Sequence, residues 1–172
     1  IINSPNNPSG VVYTEETIKN IAKILNEKQK EYNKSIYLVT DEPYRELMYG
    51  EEKYPFITNY YDNSVVCYSF SKSLSLPGER IGYIFVSPSM KDAGDVYAAV
   101  CGAGRALGYV CAPSLMQYTI AQCLDDTADI SIYEKNPVAK FPRIVGYSSA
   151  GIVMQVGEKV TSVKVGDRVA LS

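Results

Sequence analysis

Two short apolar runs, Val65-Val66-Cys67-Tyr68 and Ile81 to Val86, are separated by a stretch rich in Ser, Pro and Gly that cannot continue either of them. Apolar runs of this length, rich in β-branched and aromatic residues, read as strands. The connection between them is short for a parallel crossover, so the second strand is expected to run antiparallel to its neighbours. The stretch itself, Ser69-Phe70-Ser71-Lys72-Ser73-Leu74-Ser75-Leu76-Pro77-Gly78-Glu79-Arg80-Ile81-Gly82-Tyr83, carries a lysine in a Ser-rich turn and an arginine eight residues on. A turn in that position lies at the end of a strand in an α/β sheet, where such proteins bind ligands.

The residue types in the turn suggest which ligand. A lysine amine attacks an aldehyde to form a Schiff base once desolvation or a neighbouring cation lowers its pKa, and Arg80 is a candidate for that cation. The same arginine can grip a phosphate through paired hydrogen bonds. An aldehyde for Lys72, and a phosphate for Arg80 and the serines, are both supplied by pyridoxal phosphate. The bland alternative is that Lys72 and Arg80 are solvated loop charges.

Other stretches of the chain offer partners for such a ligand. Residues 3–10, Asn3-Ser4-Pro5-Asn6-Asn7-Pro8-Ser9-Gly10, are dense in turn formers and read as a loop leaving a strand. Thr14-Glu15-Glu16 places a capping hydroxyl and two acids at a helix start, favourable with both the free amides and the helix dipole. Ile18, Ile21, Ala22 and Leu25 then give an apolar face at helical spacing, and a solvated face runs to about Lys34. Ser35 to Thr40 reads as a buried strand that ends in Asp41-Glu42-Pro43-Tyr44. On spacing alone, Asp41 is open to two readings, a ligand-facing acid in the crevice or a helix N-cap. Residues 45–63 read as a tyrosine-rich surface connection without assigned chemistry.

Three of these segments resemble the class I/II, fold type I, pyridoxal-phosphate-dependent aminotransferases, in order along about residues 1–136. Asn7-Pro8-Ser9-Gly10 is similar to the family's Asn-Pro-(Thr/Ser)-Gly motif, Asp41-Glu42-Pro43-Tyr44 to its Asp-x-x-Tyr motif, and Ser69-Phe70-Ser71-Lys72 with Pro77-Gly78-Glu79-Arg80-Ile81-Gly82-Tyr83 to its lysine motif. The resemblance implies that Lys72 is the catalytic, cofactor-bearing lysine and that Asp41 pairs the pyridine nitrogen. It implies that Asn7 and Tyr44 hydrogen-bond the phenolic oxygen, and that Ser69 and Arg80 hold the phosphate. The implied fold is α/β, part of the three-layer α/β/α large domain of a fold type I enzyme, and the implied substrates are amino acids and 2-oxo acids. Family members are typically dimers, so a homodimer is the expected assembly.

Beyond the motifs, residues 88–101 read as a helix start and an alanine-rich helix. Gly102 to Gly108 is spaced G-x-G-x-x-x-G and reads as a helix-ending turn rather than a nucleotide loop. Pro113-Ser114 opens another helix, with Leu115, Tyr118, Ile120, Ala121 and Leu124 mostly on one side, expected to continue toward Asn136. From about residue 137 the pattern changes to short β-rich runs separated by glycines, including Gly151-Ile152-Val153-Met154-Gln155-Val156-Gly157 and Val165-Gly166-Asp167-Arg168-Val169. These resemble a GroES-like segment of the medium-chain alcohol dehydrogenase and quinone reductase family. Gly146-Tyr147-Ser148 stands where zinc members carry Gly-His-Glu, so no metal is expected. The domain reading is therefore a partial aminotransferase-like domain over 1–136 and a partial GroES-like β segment over 137–172.

Composition narrows the remaining classes. A chain of 172 residues, 46% hydrophobic and 21% charged, can bury a sizeable core. A net charge of −2 supplies no basic field for nucleic acid or an anionic membrane, and no apolar run approaches the roughly 20 residues that span a bilayer. With no histidine, His-based triads and His-ligated metals are excluded. Four widely spaced cysteines argue against a disulfide framework and fit a reducing cytoplasm. The opening Ile1-Ile2-Asn3 reads as a strand entered midway, hence a fragment. The expected function is aminotransferase by ancestry, weak or inactive as this chain. Its alternatives are a non-catalytic binding or assembly module, or a chimeric fragment, and then a fragment of a medium-chain oxidoreductase.

Overall fold

The computed structural model describes residues 1–48, 53–124, 149–153, 156–157, 161 and 164–171. Its centre is a four-stranded mixed sheet in the order β1 (Ile2–Asn3), β2 (Leu38–Asp41), β3 (Ser64–Ser69) and β4 (Gly82–Val86). The first three strands run parallel, and β4 runs antiparallel to β3, as the short connection before it demands.

Between β1 and β2 lies helix α1 (Glu15–Tyr32). The Thr14 side chain accepts from the Thr17 amide at its start, Glu15 and Glu16 occupy the first turn, and Asn33 closes it in the left-handed conformation. Its apolar face falls where the spacing puts it: Ile18 and Ala22 are buried against Leu38 and Val66 of the sheet and against Ile57 and Tyr61, with Ile21 and Leu25 packed alongside. This crossover makes β2 parallel to β1, and the connection over residues 42–63 makes β3 parallel to β2, so the C-terminal ends of the three strands, and the segments that leave them, emerge on one side.

Among the described residues, those beyond β3 are less enclosed. Helix α2 (Phe70–Ser73) follows β3 directly, so Lys72 sits on a short helix rather than in an open turn. Helix α3 (Ala93–Ala106) begins after Asp92 and runs through Gly102 and Gly104, ending at Gly108 with φ +88°. The expected end near Cys101 was too early. A helix-interior glycine costs about 1 kcal/mol relative to alanine, too little on its own to break the helix. Helix α4 (Ser114–Gln122) forms as expected, but of its anticipated apolar side only Ile120 is buried, whereas Leu115, Tyr118 and Leu124 stand largely exposed. Tyr83, Ile84 and Phe85 of β4 are also exposed, as are Leu107, Tyr109 and Val110 between α3 and α4. Spacing marks a face as apolar; only packing decides whether anything covers it.

In the C-terminal segment, β5 (Ser149–Ile152) and β6 (Arg168–Leu171) pair antiparallel, which bears out the β character read there. The anticipated helical continuation to Asn136 and the Gly146-Tyr147-Ser148 position lie outside the described residues. Among the described residues no helix is long and apolar enough to cross a membrane.

Candidate functional site

Three loops leave the C-terminal ends of β1, β2 and β3, and the candidate residues ride on them. The first is closed on itself: the Gly10 amide donates to the Asn6 carbonyl at 2.7 Å and the Asn6 amide to the Val11 carbonyl at 2.9 Å. Gly10 takes φ +71°, a conformation that suits glycine, and the buried Ser4 hydroxyl accepts from the Tyr13 amide at 2.9 Å. Both X–Pro bonds of the loop, Ser4–Pro5 and Asn7–Pro8, are cis. This frame presents Asn7, whose Nδ2 donates to the Tyr44 hydroxyl at 3.2 Å, across 37 residues of sequence. The Lys72 ammonium lies 5.6 Å from the centroid of the Tyr44 ring. One residue from each loop, an amide, a phenol and an amine, therefore meet at one end of the parallel strands.

Asp41 closes β2 at the same end. No helix starts there, and its carboxylate accepts from Asn3 Nδ2 at 3.2 Å, so the N-cap reading does not hold. In the strand register Asn3 faces Asp41, Asp41 faces Cys67, and Cys67 faces Ile84, which sets the four in a row across one face of the sheet. Asp41 is largely exposed, yet partial desolvation by its neighbours raises its carboxyl above the ordinary carboxylate range, and the Asn3 hydrogen bond partly offsets this. Cys67 is raised as well, by burial and then by the neighbouring Asp41 and Glu42 charges.

The last two candidates are engaged locally. The Ser69 hydroxyl caps α2, accepting from the Ser71 amide at 3.2 Å and lying 2.7 Å from the Ser71 hydroxyl. Arg80 sits in the left-handed region at φ 51°, exposed, with Nη1 donating to the Pro77 carbonyl at 3.0 Å. Thus the fold brings Asn7, Tyr44 and Lys72 together and joins Asp41 to them through Asn3, while Ser69 and Arg80 shape the turn that carries Lys72. An open cleft of about 420 Å³ lies beside this turn, between Phe70, Ile81 and Gly82 and the α4 residues Gln117, Ile120 and Ala121. Its lining is largely apolar and holds none of the six candidates.

Sequence reading missed a supporting cluster behind Tyr44. The Arg45 guanidinium stacks 4.0 Å from the Tyr68 ring, donates to the Tyr83 hydroxyl at 2.8 Å and to Glu46 Oε1 at 2.8 Å, and lies 3.5 Å from Glu42 Oε2. Burial works against its charge, but the hydrogen bonds to Glu46 and Tyr83 outweigh that and raise its pKa. Tyr68, pushed up to about 12 chiefly by burial, donates to Ser73 on α2 at 2.6 Å. The cluster ties the loop after β2 to β3, β4 and the Lys72 helix. The only sequence signal was a charged triplet, Glu42, Arg45 and Glu46, beside a run of aromatics.

The Glu42 side chain is fully buried, and burial raises its pKa, with Tyr54, Thr40 and Arg45 opposing. A carboxyl with a raised folded pKa holds a proton that the unfolded chain has already released, so stability falls as pH rises out of the carboxylate range. We therefore expect Glu42→Gln to melt close to wild type at low pH and above it at neutral pH. Thermal melts across that window check this, and a variant less stable at neutral pH would contradict it.

The family model described as "Aminotransferase class I and II" matches residues 1–141, and the one described as "Alcohol dehydrogenase GroES-like domain" matches residues 116–172. An aspartate aminotransferase from Pyrococcus horikoshii is 38% identical over 105 residues, 59% of this chain and 25% of that protein. A solved aminotransferase from Eubacterium rectale superposes with a TM-score of 0.75 and 61% identity, over 78% of this chain and 34% of its own. The Thermus thermophilus aspartate aminotransferase, as a tetra mutant, gives 0.55 and 25% identity, over 73% of this chain and 31% of its own. The chain thus spans about a quarter to a third of the length of these relatives.

Proposed function

Because the chain belongs, over residues 1–141, to the class I and II aminotransferases, we propose that it carries the central part of a site for amino-group transfer between an amino acid and a 2-oxo acid. Pyridoxal phosphate is the cofactor of this family, and the fold is part of the family's α/β domain. The observation that carries the proposal is the meeting of Asn7, Tyr44 and Lys72 from three separate loops.

The residues present fit the cofactor's chemistry. Partial desolvation penalises the charge of the otherwise exposed Asp41, a cost that a cationic partner such as a protonated pyridine nitrogen would relieve. Asn7 and Tyr44 supply hydrogen-bond donors for a phenolic oxygen, and the half-buried Lys72 supplies an amine beside them. When bound, pyridoxal phosphate supplies an aldehyde carbon for amine exchange and a ring that draws electrons from the carbon losing its proton. In this reading Lys72 Nζ would hold the aldehyde end and would carry the proton to and from the substrate carbon. Asp41 would keep the ring nitrogen protonated, Asn7 and Tyr44 would tune the phenolic oxygen, and Ser69 and Arg80 would hold the phosphate.

Since the chain spans only part of its relatives and leaves the β4 and α4 apolar faces uncovered, we propose weak cofactor binding and little or no turnover by this polypeptide alone. We place the junction of its two segments near residue 137, inside the overlap of the two family matches. A homodimer and a reducing cytoplasmic setting belong to the same proposal, the latter supported by four free cysteines. Amino acids and 2-oxo acids are the proposed substrate class, in keeping with relatives named as aspartate aminotransferases.

The test is to mix the purified chain with pyridoxal phosphate, reduce with borohydride and map modified lysines by peptide mass spectrometry. A stoichiometric adduct at Lys72 supports the reading; scattered labelling or none would leave the non-catalytic module as the better one.

A further inference from the structure

Asn3 is the point through which the acid and the amide of the candidate site are connected. Its Nδ2 donates to the Asp41 carbonyl at 2.9 Å and to Asp41 Oδ2 at 3.2 Å. Its Oδ1 accepts from Asn6 Nδ2 at 3.0 Å and from the Asn7 amide at 3.0 Å. A primary amide has two N–H donors and two acceptor lone pairs, so all four positions are filled. The partners also dictate the orientation: both groups facing Nδ2 are acceptors and both facing Oδ1 are donors, so a flipped amide would satisfy neither side. Strand register supplies the reach, because Asn3 and Asp41 are directly paired across β1 and β2. Few other side chains can do this. Aspartate lacks the donors, serine lacks the span and the second arm, and glutamine carries the amide one methylene too far.

We infer that Asn3 is a positioning residue that clamps the Asp41 carboxylate and the Asn7 loop to each other, fixing the spacing between the group that meets the ring nitrogen and the group that meets the phenolic oxygen. The inference rests on the cofactor reading above for its purpose, and on the four hydrogen bonds for its geometry. The groups flanking Asp41 across the sheet are Asn3 on β1 and Cys67 on β3, so Asn3 is the hydrogen-bonding neighbour through which the carboxylate is tuned. The two halves of the clamp are separable by chemistry. Asn3→Asp keeps an acceptor for Asn6 and Asn7 but turns the donor toward Asp41 into a repelling carboxylate. Asn3→Ala removes both halves.

The experiment uses the 172-residue chain labelled with 13C at aspartate carboxyls and 15N at amides, without cofactor, followed by a pyridoxal phosphate titration read by absorbance. Backbone amide dispersion reports that each variant is folded. The expected result is an upward displacement of the Asp41 titration midpoint in both variants, larger in Asn3→Asp. The Asn7 amide resonance should move strongly in Asn3→Ala and little in Asn3→Asp. Pyridoxal phosphate affinity should fall about tenfold or more in both, the usual scale for losing a hydrogen bond to a charged group. An unchanged Asp41 midpoint together with an unchanged Asn7 amide would overturn the clamp whether or not cofactor binds. A wild-type chain that gives no Lys72 adduct would instead sink the cofactor reading, and with it the purpose assigned to Asn3. The two failures are distinguishable because the carboxyl titration is read with no cofactor present.

Discussion

Lys72→Ala should abolish the borohydride-fixed pyridoxal phosphate adduct completely while leaving the fold nearly unchanged. Lys72 sits on the four-residue helix α2, half-buried, with its ammonium near the Tyr44 ring, and makes no ion pair among the described residues. Alanine is the best helix former, so truncation there removes an amine and a modest cation–π contact worth about 1 kcal/mol or less. Other lysines are differently placed: Lys19 and Lys28 lie on the exposed face of α1, each paired with a glutamate. They are expected to label weakly and equally in wild type and variant. Lys72→Arg separates charge from nucleophile, since a guanidinium keeps the positive charge but never deprotonates to attack an aldehyde. Loss of the adduct in both variants, with unchanged melting, identifies the amine itself. An adduct of wild-type stoichiometry surviving in Lys72→Ala would refute the role.

Gly82→Ala is expected to destabilise the chain by roughly 3 kcal/mol, at the upper end of overpacking costs, and to lower the melting temperature by on the order of 10 °C. Gly82 opens β4 and pairs with Ser69 across the antiparallel ladder. A Cβ there would lie 2.1 Å from the Tyr68 carbonyl oxygen and 3.1 Å from Ser69 Cα. Both are backbone atoms, so no side-chain rotation relieves the clash, and β4 must separate from β3. The separation falls at the end of β3 where Ser69 caps α2, so the Lys72 adduct should diminish with stability. Gly78→Ala is the control, because nothing lies within 4 Å of a Cβ at that position and its φ is not in the left-handed region. Melting curves of the two variants side by side check the prediction; equal stability would mean that the strand pair tolerates the methyl group.

Much of the framework was legible locally. Ser64 to Ser69 read as a strand because a β-branched and aromatic run ends in serines, and β3 has those bounds. Thr14 and the spacing of Ile18, Ile21, Ala22 and Leu25 announced α1, since caps and helical periodicity act within a few residues. Asp41 and Lys72 were nameable from their places at and just past strand ends, where side chains turn toward a crevice, whereas Asn7 and Tyr44 were named by their resemblance to the family's motifs. What escaped was non-local. Asn3 looked like one more turn former until strand register set it opposite Asp41, 38 residues away. Arg45 looked like a surface charge until Tyr68, Tyr83 and the buried Glu42 closed around it.

The sequence by itself determined the elements, their order and which residue types arrive at the strand ends, because propensity, capping and period are short-range properties of the chain. Tertiary structure alone decided that Asn7 and Tyr44 share a hydrogen bond, that Asn3 meets Asp41, and that the α4 face stays open. Those outcomes depend on which residues meet across the sheet, and that is fixed by long-range pairing and burial, whose free energy no local window of sequence contains.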